Sequence, residues 1–383
     1  MKITRNTAWT FSRILSCAAS ALLVSGAMAC AVPDKDSLGT GPSSGVESGE
    51  ATSAEDFGGL EGLIEAAKAE GELNVIALPP DWANYGAIIE AFSDKYGINV
   101  NSAQPYASGQ EEIDAANQQK GQPTAPDVFD LGQAVALANT AMFAPYKVAT
   151  FGDIPAAFKD ADGTWVNDYG GYVSIGFDAA KVPPITAVDD LLKPEFQGKV
   201  ALNGDPIQSG AAFSGVLMVS LSQGGSVEDI APGVEFFRKL KEAGNFLPVD
   251  PTPDTIESGQ TPVVIDWNYT NASETKELPS WQVVVPPESV VAGYYYQAIN
   301  KDAPHPAAAR LWQEFLYSDE GQNLFGLGGV RPVRADNMNA DGTLDKAVIA
   351  SMPIVHGPVN VPTPAQTEAA SKYLAENWAA AVS

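Results

Sequence analysis

Apolar and polar positions switch repeatedly between a short continuous run and a helical spacing. Residues 73–78, LNVIAL, form an aliphatic run that Pro79-Pro80 ends, and Ile88, Ile89, Ala91, Phe92 and Tyr96 then recur at helical intervals. The pattern predicts strand, loop, helix. Residues 60–68 predict a short amphipathic helix ahead of this strand, and GQEEIDAANQQKG a polar one after it. Residues 127–131 form a second strand that turns at Gly132-Gln133 into an apolar helix. In WVNDYGGYVSIGFDAAKV, Tyr169-Gly170-Gly171-Tyr172 interrupts a strand pattern, as a chain crossing between lobes or a bulge would.

The same alternation resumes in the second half. Residues 199–202 predict a strand, 211–221 a helix and VEFFRKLKEAGNF an amphipathic helix. TPVVIDWNYTNA reads as a buried strand ending in Asp266, Trp267, Asn268 and Tyr269. SWQVVVPP and VVAGYYYQAIN are further strands, followed by one long helix in AAARLWQEFLYSDEGQNLF, whose apolar face is Leu311, Trp312, Phe315 and Leu316. This order predicts an α/β protein of two lobes, each a mixed sheet flanked by helices and joined by crossing strands.

In open α/β sheets a ligand sits beyond the carboxyl ends of the strands, so the loop tips are the candidate site. They offer Asp81, Trp82 and Tyr85 in one loop, Asp130 and Gln133 in a second, Asp205, Gln208 and Ser209 in a third, and Asp266 and Trp267 in a fourth. Plainer readings stand beside these. Trp82 and Tyr85 could anchor a loop over the core, and Asp205 before Pro206 could cap a helix start. Along the late strand Tyr294 and Tyr296 share one face while Tyr295 points oppositely, so one set at most lines a cleft.

Length and charge narrow the classes. The chain has 383 residues, enough for two lobes, and 47 Asp and Glu against 22 Lys and Arg, for a net charge of -25. Such a surface repels nucleic acid and anionic lipid and draws cations into a cleft. Residues 1–29 read as a secretory signal: Lys2, Arg5 and Arg13 precede the apolar run ILSCAASALLVSGAMA. Ala27-Met28-Ala29 satisfies the small-x-small rule of ordinary signal removal, and the small residues before Cys30 also resemble a bacterial lipobox, with Ala27 where Leu is usual. Cys17 lies within the signal, so the mature chain holds only Cys30 and no internal disulfide. Residues 30–59, rich in Gly, Ser and acids, are expected to tether the domain flexibly to a lipid on Cys30.

Catalysis finds no support. The chain has no G-x-S-x-G elbow between a strand and a helix, its match at Gly41 to Gly45 lying in the Gly- and Ser-rich stretch, and no G-x-x-x-x-G-K-[ST] loop; its two histidines, His305 and His356, read as surface or capping residues without metal-ligand spacing. Neither a metal nor a cofactor is expected.

The order of these pieces, with DLLKPEFQGKVAL in the middle and AINKDAPHPAAARLWQEFLYSDEGQ near the end, resembles the type II periplasmic solute-binding proteins of bacterial ABC importers. Within them it most resembles the spermidine/putrescine-binding proteins. The resemblance implies a two-lobed binding protein with residues 60–172 and 293–337 in one lobe and 173–292 and 338–383 in the other. It would capture a small cationic amine between them and deliver it to an ABC permease and its ATPase subunits. The protein would be exported to the periplasm or the outer face of the cytoplasmic membrane as a lipoprotein. By the same resemblance Trp82 and Tyr85 would sandwich a polyamine, Asp205 would pair with an ammonium and Trp267 would stack on it. The chain departs from that pattern at Gln208, where a second acid stands in the family, and at Gly293 and Tyr295, where the family has Trp and Asp. A phosphonate such as aminoethylphosphonate, or ferric ion, is the alternative ligand. An acidic cleft would favour the amine and an arginine-bearing one the phosphonate.

Overall fold

The computed structural model describes residues 47–353 and 355–383. Ten strands are present among them: β1 (Glu72–Ile76), β2 (Asn99–Ala103), β3 (Val128–Leu131), β4 (Phe143–Ala144), β5 (Val166–Asp178), β6 (Val200–Leu202), β7 (Val263–Trp267), β8 (Trp281–Val284), β9 (Ala292–Asn300) and β10 (Arg331–Pro332). The first helices are α1 (Leu60–Glu70), α2 (Tyr85–Tyr96), α3 (Gly109–Gln118) and α4 (Gln133–Ala138). Between β6 and β8 come α5 (Gly210–Ser222), α6 (Ala231–Glu242), α7 (Pro253–Glu257) and α8 (Asn268–Ser273). The chain closes with α9 (Pro306–Leu316), α10 (Asp319–Leu327), α11 (Ala335–Asp341), α12 (Lys346–Ser351) and α13 (Pro364–Val382).

One strand organises the whole. The first half of β5 pairs antiparallel with β9, and its second half with β7 and β8. Strand order is β3-β9-β5-β7-β6, so β5 belongs to both sheets and crosses from one lobe to the other. The register slips between Asn167 and Gly170, which makes the glycine pair both a bulge and a crossing. No side chain would fit there: a Cβ on Gly170 would lie 2.4 Å from the Gly293 carbonyl oxygen, and one on Gly171 2.8 Å from the Tyr269 ring. The parallel pair β1-β2 extends the first lobe, joined to β3 through Asp127, whose amide donates to the Asn74 carbonyl and whose carboxylate accepts from the Asn74 amide.

The expected elements appear with shifted ends. The predicted long helix is two, α9 and α10, because Ser318 leaves the helix and caps the second by accepting from the Gly321 amide. The strand that ends in Trp267 does not continue through Asn268 and Tyr269, which open α8. Ser209 caps α5 by accepting from the Ala212 amide, so Asp205 is not its cap. Asp205 instead accepts from the Ile207 amide in a tight turn.

The signal, Cys30 and most of the expected tether lie outside the described residues. Where the stretch can be described, it does not behave as a tether. Arg310 on α9 is buried, and its guanidinium donates to the carbonyls of Ala51, Gly49 and Pro306 at 2.7, 2.7 and 2.9 Å. A buried guanidinium needs those acceptors, which pins residues 49–51 to the core despite their composition. His305 is likewise anchored: its Nδ1 lies 2.9 Å from a fully buried Asp127 oxygen, and that contact raises the imidazole pKa. Among the described residues no helix is long and apolar enough to cross a membrane.

Candidate ligand-binding cleft

The loops after β1, β2, β3, β6 and β7 converge on a cleft of about 540 Å³. Its walls are acidic from both sides. Asp81, Glu111, Glu112 and Asp130 come from the chain before β5, and Asp205, Asp250, Asp266 and Glu274 from the chain between β5 and β9. Among the described residues no Lys, Arg or His lines it. The β1 and β2 loops that form one wall are also strained. The four non-glycine residues with positive φ among the described residues are Ala77, Ala83, Asn84 and Gln104, all in these two loops. Such a backbone costs an alanine about 1–2 kcal/mol, a cost the rest of the fold must offset to hold the wall in this shape.

Asp130 lies at the base. Tyr169 and Tyr85 donate their hydroxyls to its Oδ2 at 2.8 and 2.9 Å, and Trp82 Nε1 donates to the Tyr169 hydroxyl at 2.6 Å. That relay fixes the carboxylate while leaving Oδ1 without a partner among the described residues. Burial pushes the Asp130 pKa up to about 7, with the two tyrosine hydroxyls pulling the other way. Beneath it Asp168 and Glu112 are raised well above the carboxylate range, chiefly by burial and then by the Asp130 charge. Asp266 is pushed up to about 7 by burial, opposed by Asn203, whose amide donates to Oδ2 at 2.8 Å. Glu274 reaches about 7 by burial, then by the charge of Asp81. Asp130, Asp266 and Glu274 are thus each about half protonated at neutral pH.

A second chamber of about 420 Å³ borders the first. None of its lining residues is charged; Phe158, Phe213, Trp267 and Tyr294 form its walls. Both chambers share Gly132, Gln208, Ser209, Gly210 and Tyr295. At their boundary the lobes touch backbone to backbone, since a Cβ on Gly132 would stand 2.8 Å from the Gly210 Cα.

The residues expected from the sequence are divided by this arrangement. Asp81, Trp82, Asp205 and Asp266 line the acidic chamber, Gln208 and Tyr295 both, and Trp267 and Gln133 only the uncharged one. Two of them have other work. Tyr85 is 0% exposed, packed on Tyr169 and Phe325, so it supports Asp130 from below and does not sandwich a ligand with Trp82. Gln133 accepts from the Thr367 hydroxyl at 2.8 Å and thereby ties α4 to α13. Trp82 meets Tyr269 and Tyr295 edge-on, and Trp267 stacks on Tyr269. Gly293, where the resemblance implied Trp, gives the Trp267 ring its place, because a Cβ there would lie 2.7 Å from it.

Several lining residues escaped sequence reasoning. Glu112 shares a helical face with the buried Ala116 four residues on, a period that could have exposed it. Tyr106, 63% exposed at the rim, and Glu274, at the C-terminal end of α8, carry no sequence signal.

Solved structures share the fold. The periplasmic binding protein P5PA is 18% identical with a TM-score of 0.65, covering 82% of this chain and 100% of its own. AfuA from Actinobacillus pleuropneumoniae, with exogenous fructose-6-phosphate bound, is 16% identical with a TM-score of 0.65, over 81% of this chain and 98% of its own. A protein provisionally assigned as a spermidine/putrescine ABC transporter from Listeria monocytogenes is 14% identical with a TM-score of 0.58, over 81% and 98%. No curated protein matches the sequence. The match of residues 127–349 to the family model, more than half of the chain, places this protein among the bacterial extracellular solute-binding proteins.

Proposed function

We propose that this protein is the substrate-binding subunit of an ABC importer and that its solute is a small cationic amine. The observation that carries the reading is the cleft lined by carboxylates from both lobes without one basic side chain among the described residues. An ammonium group entering a cleft loses its water, and carboxylates or aromatic faces must replace it. Asp130, with its free Oδ1 at the base, and Asp266 are the partners best placed to do so; buried Glu274 adds to them, and exposed Asp81 extends the file toward the rim. A phosphonate would meet repulsion on every side. For ferric ion the hard oxygen ligands are present, but the tyrosine rings diverge: Tyr294 packs on Phe158, Tyr296 on Trp165, and the Tyr295 hydroxyl accepts from Trp267 Nε1.

Because the cleft walls come from both lobes, a ligand is satisfied from two sides only when they are closed, which presents the loaded form to a permease. Export, and a lipid on Cys30 that keeps the protein near that permease, complete the reading. A thermal-shift screen of the mature domain against diamines, polyamines, aminoethylphosphonate, ferric citrate and sugars tests it. A ligand at 100 times its Kd adds about 2.7 kcal/mol to the folded state. A shift with amines alone is expected; a shift with the phosphonate or iron and none with amines would overturn the ligand class.

A further inference from the structure

We propose that the uncharged chamber receives an apolar substituent of the same ligand whose ammonium group lies among the carboxylates. The cargo is then an alkyl- or aryl-substituted amine, and a bare polyamine is only its head. This rests on the amine reading above and adds the half of the ligand that reading leaves out.

The chamber is built for such a group. It has room for a ring or a short chain, its walls are Phe158, Tyr294, Trp267 and Phe213, and no charge faces it. Both lobes contribute, as they do to the acidic chamber. Its mouth stays apolar as well, with Ile207 41% and Val361 46% exposed, so water there is poorly held and readily displaced. The occupant is argued from continuity. Tyr295 lines both chambers: its ring stands against Trp82 of the acidic side, and its hydroxyl accepts from Trp267 Nε1 of the apolar side at 3.2 Å. Gln208 and Ser209 line both as well.

Where the two chambers adjoin, Gly132 meets Gly210 backbone to backbone, flanked by Gln208, Ser209 and Tyr295. Gly132 has φ -65° and ψ 151°, which any residue adopts, so its missing side chain answers to the approach of Gly210 and to nothing in its own backbone. Parting the lobes at this contact merges the chambers into one amphipathic cleft. Closing them leaves the head in an acidic environment and the substituent in an apolar one.

The test is calorimetric titration of the mature protein with 1,4-diaminobutane and its N-propyl, N-hexyl and N-benzyl derivatives. Each buried methylene should tighten binding about fourfold until the chamber is full. Val361→Asp and Phe158→Ala, the first at an exposed position, should remove that increment and leave the parent diamine's affinity unchanged. A parent diamine that binds while its N-alkyl derivatives bind no tighter overturns the inference and spares the amine reading. Indole that binds without competing with the N-benzyl derivative also overturns it, as a separate site. Failure of the whole series to bind overturns both.

Discussion

The two chambers share five residues and the same two lobes, yet one carries eight carboxylates and the other no charge. The difference does not come from the scaffold. It comes from which residues the loop tips happen to offer on either side of Gly132 and Gly210. On the acidic side the cost of burying charge is met by the tyrosine relay to Asp130 and by protons held near neutrality. On the other side there is no such cost, and aromatic packing decides. A binding cleft of this kind can therefore divide recognition of charge from recognition of shape.

The comparison can be broken most decisively by charge. Asp130→Asn with Asp266→Asn should weaken amine binding at least about 100-fold by calorimetry, since losing a buried partner costs roughly 3–5 kcal/mol. Retained affinity would mean the acidic chamber is not the site. Trp267→Ala acts on the other chamber: with its ring buried on Tyr269, it should cost about 3 kcal/mol of folding stability in denaturant melts. The unsubstituted diamine should bind nearly as before, whereas the family resemblance predicts a direct loss of stacking.

The boundary is tested by Gly132→Val. A side chain there holds the lobes apart, so the amine should dissociate about tenfold faster in stopped-flow, with no change in the melting temperature of the unliganded protein. Lowering pH sharpens the contrast by a similar factor. Asp130, Asp266 and Glu274 hold protons below about 7, so affinity should fall about tenfold from pH 8 to pH 6 for each proton the cation displaces. Stability of the empty protein should move oppositely. These groups have folded pKa values raised above their unfolded ones, so the stabilisation from their protons is complete in acid and is lost as pH rises through 7. The smallest effect is expected at Asp205→Asn, less than about fivefold, because the carboxylate is exposed and already engaged in its own turn.

Much of this was legible from residues alone. Period and punctuation located β1, β3, β5, α5 and β7, and with them the loop tips that carry Asp81, Trp82, Asp205 and Asp266 into the cleft. Tyr85 was misplaced because the loop-tip argument counts position along the chain, whereas Tyr85 opens α2 and is turned inward to Asp130. The residues beside Gly49 were misread because their partner, Arg310, lies 261 positions away. Glu274 went unnoticed since nothing in a single turn of helix says which wall it will face.

By itself the sequence determined the class of fold, the order of its elements, the acidic character and the family, because these depend on local periodicity, on composition and on pieces read in order. The tertiary structure alone decided the split into two chambers. That division depends on the approach of Gly132 to Gly210 and on Trp267 resting against Gly293, contacts between residues distant in sequence whose small size has no meaning until the opposing backbone or ring is in place.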